Sequence, residues 1–270
     1  MKFSSKNLLV TGGAGFIGSN FICYLLDKYS DINIINLDLL TYAGNLKNLK
    51  TIQDNKRYKF IQGDICDEKL LENIFSEFNI DGVINFAAES HVDNSIIKPE
   101  IFIKTNVNGV FNLLNCAYNY WIDKPFKVKK GFELARFHQI STDEVYGTID
   151  KGSFTEENKY APNSPYSASK ASADLIVRSF NKTYGLNTTI SVSSNNFGMN
   201  QNKEKFIPKI INRLKNNESI PVYGNGENIR DWIFVNDHCI AIDLIFNNSD
   251  SGSTYNVGGN NELSNMQHKL

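Results

Sequence analysis

The sequence predicts an α/β protein built on a doubly wound parallel sheet, followed by a smaller C-terminal lobe. Three observations carry this. Short apolar runs of strand type alternate with helical patterns from residue 7 to about residue 194, the order that builds a parallel sheet with helices on both faces. The first run, Asn7-Leu8-Leu9-Val10-Thr11, opens into a glycine-rich turn and a helix. The second run ends on a lone acid, Asp38. On this pattern residues 1–190 form the first domain, with 232–247 returning to it, and residues 191–270 form the lobe.

The turn reads Gly12-Gly13-Ala14-Gly15-Phe16-Ile17-Gly18. Glycine is required where the chain turns tightly, where backbone must approach a pyrophosphate, and where helix packs on strand. The helix that follows, with Phe21, Ile22, Leu25 and Leu26 on one face, would point free N–H groups and the positive end of its dipole at phosphate. Asp38 follows Gly18 by about 20 residues, where a ribose-binding acid is expected. These features specify a Rossmann-type dinucleotide site. Asp38 would repel a 2′-phosphate and no Arg lies nearby, so NAD is favoured over NADP.

Further strands are expected at Tyr58–Gln62, at Val83–Phe86 and at Arg136–Ile140, with helices near 70–78 and from about Pro99 to Tyr120. The last of these strands delivers Ser141-Thr142-Asp143-Glu144, and a helical stretch then carries Tyr166 and Lys170. A separation of four residues is about one helical turn, so Tyr166 and Lys170 share a face. An ammonium beside a phenol favours the phenolate and is expected to lower its pKa, giving a general base. Asp143 and Glu144 would supply an acid and a second base. Because adjacent strand residues point oppositely, the chain must bend at Asp143 for both to serve one site. On spacing alone, a solvated turn before an amphipathic helix explains the stretch equally well. Position decides: ligands lie outside the carboxyl ends of parallel strands, so the glycine turn, Asp38, Asp64, Ala87 and Ser141 to Glu144 should converge on one rim.

A strand at 188–194 follows, then a helix to about Leu214, a short strand and turn at 221–226, a strand at 230–235, and a helix starting near Asp237. Composition excludes several classes. A formal charge of −1 over 270 residues leaves no electrostatic footprint for nucleic acid. No apolar run approaches the length of a membrane span, and the N-terminal run is too short for a signal peptide, so a cytoplasmic protein is expected. The four cysteines and four histidines are scattered without ligand spacing, so no disulfide or metal is expected.

Taken together, the glycine turn, Asp38, Thr142-Asp143-Glu144 and Tyr166-xxx-Lys170 resemble the extended short-chain dehydrogenase/reductases. Within them the chain is similar to the dTDP-glucose 4,6-dehydratases. Support comes from Asp38 to Asn45, from Ala87-Ala88-Glu89-Ser90-His91-Val92-Asp93, from Ser194 to Gly198, from Glu204 to Pro208 and from Arg230-Asp231-Trp232. The resemblance spans residues 6 to about 265. It implies that Tyr166 takes the 4-hydroxyl proton of a nucleotide-activated hexose while hydride passes from C4 to NAD. Lys170 would assist Tyr166, and Thr142 would bind the 4-oxygen. Glu144 would then remove the C5 proton and protonated Asp143 would release the C6 hydroxyl as water. Hydride returning to C6 gives a 4-keto-6-deoxy sugar.

The resemblance also assigns Gly12, Gly15, Phe16, Ile17, Gly18, Asp38, Asp64, Ile65, Ala87, Ala88, Thr105 and Ser141 to NAD, together with Tyr166 and Lys170. It assigns Ser90, His91, Asn196, Glu204, Lys205, Pro221, Tyr223, Arg230 and Asn265 to the nucleotide-sugar, dTDP-glucose. Arg230 suits a diphosphate because its planar fork bonds in two places; a surface pair with Asp231 or Glu227 is the alternative. Tyr223 as a core aromatic, and Glu204 and Lys205 as a solvated helix start, are alternatives of the same kind. A homodimer through the helices near 99–120 and 165–184 is implied as well.

The chain departs from the family pattern at Asn94, at Phe197-Gly198-Met199, and at its end, Asn265 to Leu270. The end implies a C-terminally truncated, incomplete lobe. Three readings therefore stand: an active dehydratase, an NAD-binding remnant of weak or no activity, and a nucleotide-sugar 4-epimerase.

Overall fold

The computed structural model describes residues 4–149, 151–219, 226–264 and 266. Seven parallel strands form its main sheet. The first half alternates β1 (Asn7–Thr11), α1 (Phe16–Lys28), β2 (Asn33–Asp38), β3 (Tyr58–Gln62), α2 (Glu68–Phe78) and β4 (Gly82–Asn85). A helical run then comprises α3 (Val92–Ile97), α4 (Pro99–Phe102) and α5 (Val110–Trp121), followed by a small hairpin, β5 (Ile122–Lys124) and β6 (Lys127–Val128). The chain re-enters the sheet at β7 (Arg136–Thr142), continues through α6 (Pro165–Tyr184) and adds β8 (Thr188–Ser193).

Beyond it lie β9 (Asn195–Phe197), α7 (Phe206–Lys215), β10 (Ile229–Phe234), α8 (Val235–Asn248), β11 (Thr254–Val257) and β12 (Glu262–Ser264). The sheet order is β3-β2-β1-β4-β7-β8-β11. Connections leave β1 in opposite directions, so a crevice opens at the carboxyl ends of β1 and β4.

Side-chain alternation sorts the core into two layers. Leu8, Val10, Ile34, Ile84 and Ile140 point to one face, where they meet Phe21, Ile22 and Leu25 of α1 and Val235, Cys239, Ile242 and Phe246 of α8. Leu9, Ile35, Val83, Phe137, Ile190 and Val192 point to the other, against Phe75 of α2, Leu113 and Ala117 of α5, and Ala173 and Val177 of α6. Helix ends are set locally. Ser164, just before Pro165, and Ser167 in the first turn cap each other reciprocally, and Gly185 closes α6 at φ 73°, a left-handed conformation that glycine adopts without strain.

Three features differ from the pattern expected of the sequence. The helix expected over 99–120 is interrupted by a π-helical stretch, Ile103–Gly109. The Asn106 side chain accepts from Glu89 N at 2.8 Å and donates to Glu89 O at 3.0 Å and Ser169 Oγ at 2.8 Å. A widened turn of this kind is often found at a functional site. Second, β11 pairs with β8 as the seventh strand of the main sheet. Third, β9, β10 and β12 form a separate three-stranded sheet, β10 parallel to β9 and antiparallel to β12.

α8 is tied down at its C-terminal end and along its length. The Arg136 guanidinium donates to Ile245 O at 3.2 Å, Phe246 O at 2.7 Å and Ser249 O at 2.7 Å, satisfying carbonyls that a helix C-terminus leaves open. Midway along, the buried Asp243 accepts from Lys28, Tyr24, Tyr29 and Asn247, joining α8 to α1.

Candidate active site

The first wall of the crevice is the glycine turn. Gly12 sits at φ +68°, and a Cβ there would lie 2.6 Å from Ala87 N; one on Gly18 would lie 2.5 Å from Gly12 O. Both positions therefore exclude a side chain. Gly15 precedes α1, and among the described residues no side chain caps that helix, so its N–H groups stay available for an anion. Asp38, 8% exposed, is aimed by two backbone donors, Ala14 N at 2.9 Å and Leu40 N at 2.8 Å.

The second wall is the end of β7. Thr142 is still extended, and a 3₁₀ turn over Asp143–Tyr146 begins directly after it. This is the bend that strand alternation demands at Asp143. Val145 and Tyr146 are buried and anchor the turn, leaving Asp143 and Glu144 half-buried at the cavity. Burial pushes the Asp143 carboxyl up, while the Thr142 hydroxyl and the Arg230 charge pull it down. Burial likewise raises Glu144, and the Asp143 charge adds to this; Arg230 and Lys205 oppose both. Two adjacent carboxyls are thus held above their usual range, with an extra ammonium acting on Glu144 alone.

Tyr166 and Lys170 reach the same cavity from α6. The phenol is not lowered as its spacing from Lys170 led us to expect. Burial raises it, and the Glu144 and Asp143 charges raise it further, against a hydrogen bond with Thr142. The reason is where the ammonium goes: Lys170, 4% exposed, donates to Ile140 O at 2.7 Å. Burial depresses Lys170, and Asp174, one turn further along α6, counters it.

These walls enclose a cavity of about 340 Å³. Its lining includes Gly12, Gly15, Phe16, Ile17, Gly18, Asp38, Asp64, Ile65, Ala87, Ala88, Thr105 and Ser141, as well as Thr142, Asp143, Glu144, Tyr166 and Lys170. Of the residues assigned to the sugar nucleotide, Ser90, Asn196, Glu204 and Lys205 also line it. Lys205 reaches across to Ser90 O at 3.5 Å, and the His238 Nδ1, at 2.8 Å, meets the side-chain oxygen of Asn196.

Two assignments are not brought to the wall. His91 precedes α3, with Nδ1 buried and unpaired among the described residues. Arg230 is exposed on β10, near enough to act on both carboxyls by charge alone. Of the two acids that could compete for it, Asp231 instead accepts from Gly259 N and Asn261 N, each at 2.7 Å. Pro221, Tyr223 and Asn265 lie outside the described residues.

Sequence reasoning passed over Tyr42, Glu89, Ser194 and Gln201, all of which line the cavity. Tyr42 lies within the stretch after Asp38, so its position held a signal. The Ser194 Oγ and Gln201 Oε1 are buried without partners among the described residues, a property that only the folded loop reveals.

Comparison with known proteins resolves what this arrangement belongs to. A family model described as GDP-mannose 4,6 dehydratase matches residues 9–270. The chain is 48% identical over 264 residues to the dTDP-glucose 4,6-dehydratase of Neisseria gonorrhoeae, covering 97% of this chain and 75% of that one. The chain belongs to the dTDP-glucose 4,6-dehydratase family. It is also 49% identical over 261 residues to the low-salt glycan biosynthesis protein Agl12 of Haloferax volcanii, covering 97% of this chain and 79% of that protein. The crystal structure of the Bacillus anthracis dTDP-glucose 4,6-dehydratase in complex with NAD superposes with a TM-score of 0.86 at 45% identity, over 97% of this chain and 78% of that one. As a nucleotide-sugar 4,6-dehydratase family member the chain spans about three quarters of the length of these relatives. Among its described residues no helix is long and apolar enough to cross a membrane.

Proposed function

We propose that the chain converts dTDP-glucose to dTDP-4-keto-6-deoxyglucose and water with NAD as cofactor. The observation that carries this is the pair of raised carboxyls, Asp143 and Glu144, in one cavity with Tyr166, Lys170 and the glycine turn. The residues present fit the dinucleotide: Gly12 and Gly18 leave room that a Cβ would fill, and Asp38 faces the same space. Gly12, Gly15 and Gly18 with the start of α1 would hold the diphosphate, Asp38 the ribose hydroxyls, and Ala87 and Ala88 would let the cofactor lie close. When bound, NAD supplies a reversible hydride acceptor.

The chain's own groups move the protons. Tyr166 takes the proton of the 4-hydroxyl, steered by Thr142, and does so as the phenolate, a form that burial disfavours and that the positive charge of a bound oxidised nicotinamide would favour. Glu144, with the Lys205 ammonium favouring its charged form, removes the C5 proton made acidic by the new 4-ketone. Asp143, held up by burial, carries the proton that leaves with the C6 oxygen as water. Two neighbouring carboxyls with separated roles are what acid–base chemistry at one centre requires. The nucleotide-sugar would extend toward the lobe beginning at residue 191, across Ser90, Asn196, Glu204 and Lys205, with Arg230 at its edge. Incubation with dTDP-glucose and NAD should yield a 4-keto product with loss of water. A 4-epimer without dehydration would favour an epimerase. No product despite bound NAD would reduce the chain to a cofactor-binding protein.

The same reading includes a homodimer. Phe111 on α5 and Leu175 on α6 are 44% and 58% exposed, apolar side chains left open on two helices that pack together, which argues for a covering partner. Leu175→Asp is expected to convert a dimer to monomer in sedimentation velocity. A monomeric unaltered chain would remove the dimer from the reading.

A further inference from the structure

Asp174 is buried at 1% exposure, yet the reaction outlined above gives it no proton to carry. Its setting is specific. Two consecutive residues of β7 hold two residues of α6 one helical turn apart: Ile140 O accepts from the Lys170 ammonium at 2.7 Å, and the Ser141 hydroxyl donates to Asp174 Oδ2. Tyr160, in the segment before α6, donates to the same oxygen at 3.2 Å. The other oxygen, Oδ1, is buried and has no partner among the described residues. A buried carboxylate left half-satisfied is costly, so this one needs a cation near it.

Lys170, one helical turn earlier on α6, is the cation that acts on it, by charge at a distance beyond a direct ion pair. Its ammonium, also buried, has a carbonyl as its hydrogen-bond partner, which solvates the charge without neutralising it. We propose that Asp174 is a positioning residue: it supplies the buried counter-charge that keeps Lys170 charged and fixed in the cavity wall with Tyr166. The titratable groups facing Asp174 among the described residues are Lys170 and Tyr166 from α6, Tyr160 from the preceding segment, and Tyr146 from the 3₁₀ turn. Of these Lys170 is the one cation, and its charge lowers the Asp174 carboxyl while burial raises it, to about 6. Above that value Asp174 is anionic and supports the ammonium; below it the support is lost. The inference rests on the reading of Tyr166 and Lys170 as the pair working on the sugar 4-hydroxyl.

The test separates the two. In protein labelled with ¹⁵N-lysine and free of substrate, the Lys170 side-chain resonance, assigned with Lys170→Met, is followed against pH. Without the anion the neutral amine gains relative to the ammonium, so Asp174→Asn should lower the Lys170 midpoint by about one pH unit or more. In the unaltered chain the same resonance should show a second inflection near pH 6 as Asp174 takes up its proton. Because Asn keeps the shape and a side-chain oxygen, Ser141 retains its acceptor. The alkaline limb of turnover should move down with the Lys170 midpoint. A folded Asp174→Asn protein with an unmoved Lys170 titration would overturn the proposal. Should that variant not fold, an unaltered chain whose Lys170 resonance shows no second inflection at any pH below its own midpoint would overturn it instead. An inactive unaltered chain that still shows the shift would sink the dehydratase reading and leave the Asp174 pairing standing.

Discussion

Tyr166→Phe is expected to lower turnover of dTDP-glucose by about 10²–10⁴-fold, the range of a lost general base, while NAD still binds. The substitution removes the phenolic oxygen and leaves the ring, which meets Phe102 edge-on with centroids 6.3 Å apart, so the fold of α6 is kept. Glu144→Gln and Asp143→Asn should cost a similar factor but stop the reaction elsewhere. In deuterated water, Asp143→Asn should still exchange the C5 proton, because Glu144 can work on the ketone without an acid for the leaving oxygen. Glu144→Gln should not.

The pH profile follows from the two directions. Both carboxyls are raised by burial, so Glu144 needs a pH above the ordinary carboxylate range to act as base. Asp143 loses its usefulness as an acid when pH rises past its own elevated value. Turnover should therefore fall on the acid side as Glu144 takes up its proton, and that limb should move to higher pH in a variant that removes the Lys205 charge from Glu144. Measuring turnover and C5 exchange in parallel decides the order of events. If Tyr166→Phe keeps a turnover close to that of the unaltered chain, Tyr166 is not the base.

What the sequence made legible follows from how local each constraint is. The glycine turn is legible because every requirement on it falls within seven consecutive residues, and Asp38 because strand length fixes its distance. The bend at Asp143 is legible because a strand cannot aim neighbours at one target. The direction of the Lys170 ammonium was not. Spacing puts Tyr166 and Lys170 on one helix face, yet Ile140 O, thirty residues away in sequence, chooses where the ammonium rests. The π-helical stretch was hidden for the same reason, since Asn106 is held by Glu89 and Ser169. Likewise β11 is four residues long, too short to show periodicity, and its membership of the main sheet is decided by β8. His91 and Arg230 carry the motif spacing of site residues, but neither lines the cavity: His91 precedes α3, and Arg230 lies exposed on β10, near enough to act on both carboxyls by charge.

Asp243→Ala should produce the largest loss of stability of any single change away from the site. Asp243 is buried in α8 and draws four donors onto one carboxylate: the Lys28 ammonium at 2.6 Å, Tyr24 OH at 2.7 Å, Tyr29 OH at 2.9 Å and Asn247 Nδ2 at 2.7 Å. Removing it strands the buried Tyr29 hydroxyl and the half-buried Tyr24 and Asn247 donors, while the exposed Lys28 ammonium can turn to water; a buried donor left unmade costs about 1–3 kcal/mol, a sizeable part of the stability an ordinary domain has. Tyr29→Phe, which removes one donor, should cost about 1 kcal/mol. Urea unfolding would read both as shifts in midpoint at constant slope.

The clamp has a pH signature. Lys28 is raised above its usual range, chiefly by its hydrogen bond to Asp243. Its contribution is therefore complete below the ordinary lysine value and is lost as pH climbs through the raised one. Asp243→Ala should abolish that alkaline loss. The consequence reaches the site, because α1 carries the glycine turn at its start and Lys28 at its end. With the end released from α8, the first turn of α1 loses one of its restraints, and NAD affinity should fall before the proton-transfer chemistry does. An unchanged urea midpoint in Asp243→Ala would show that packing of Phe21, Ile22 and Leu25 against α8 suffices to hold the two helices together.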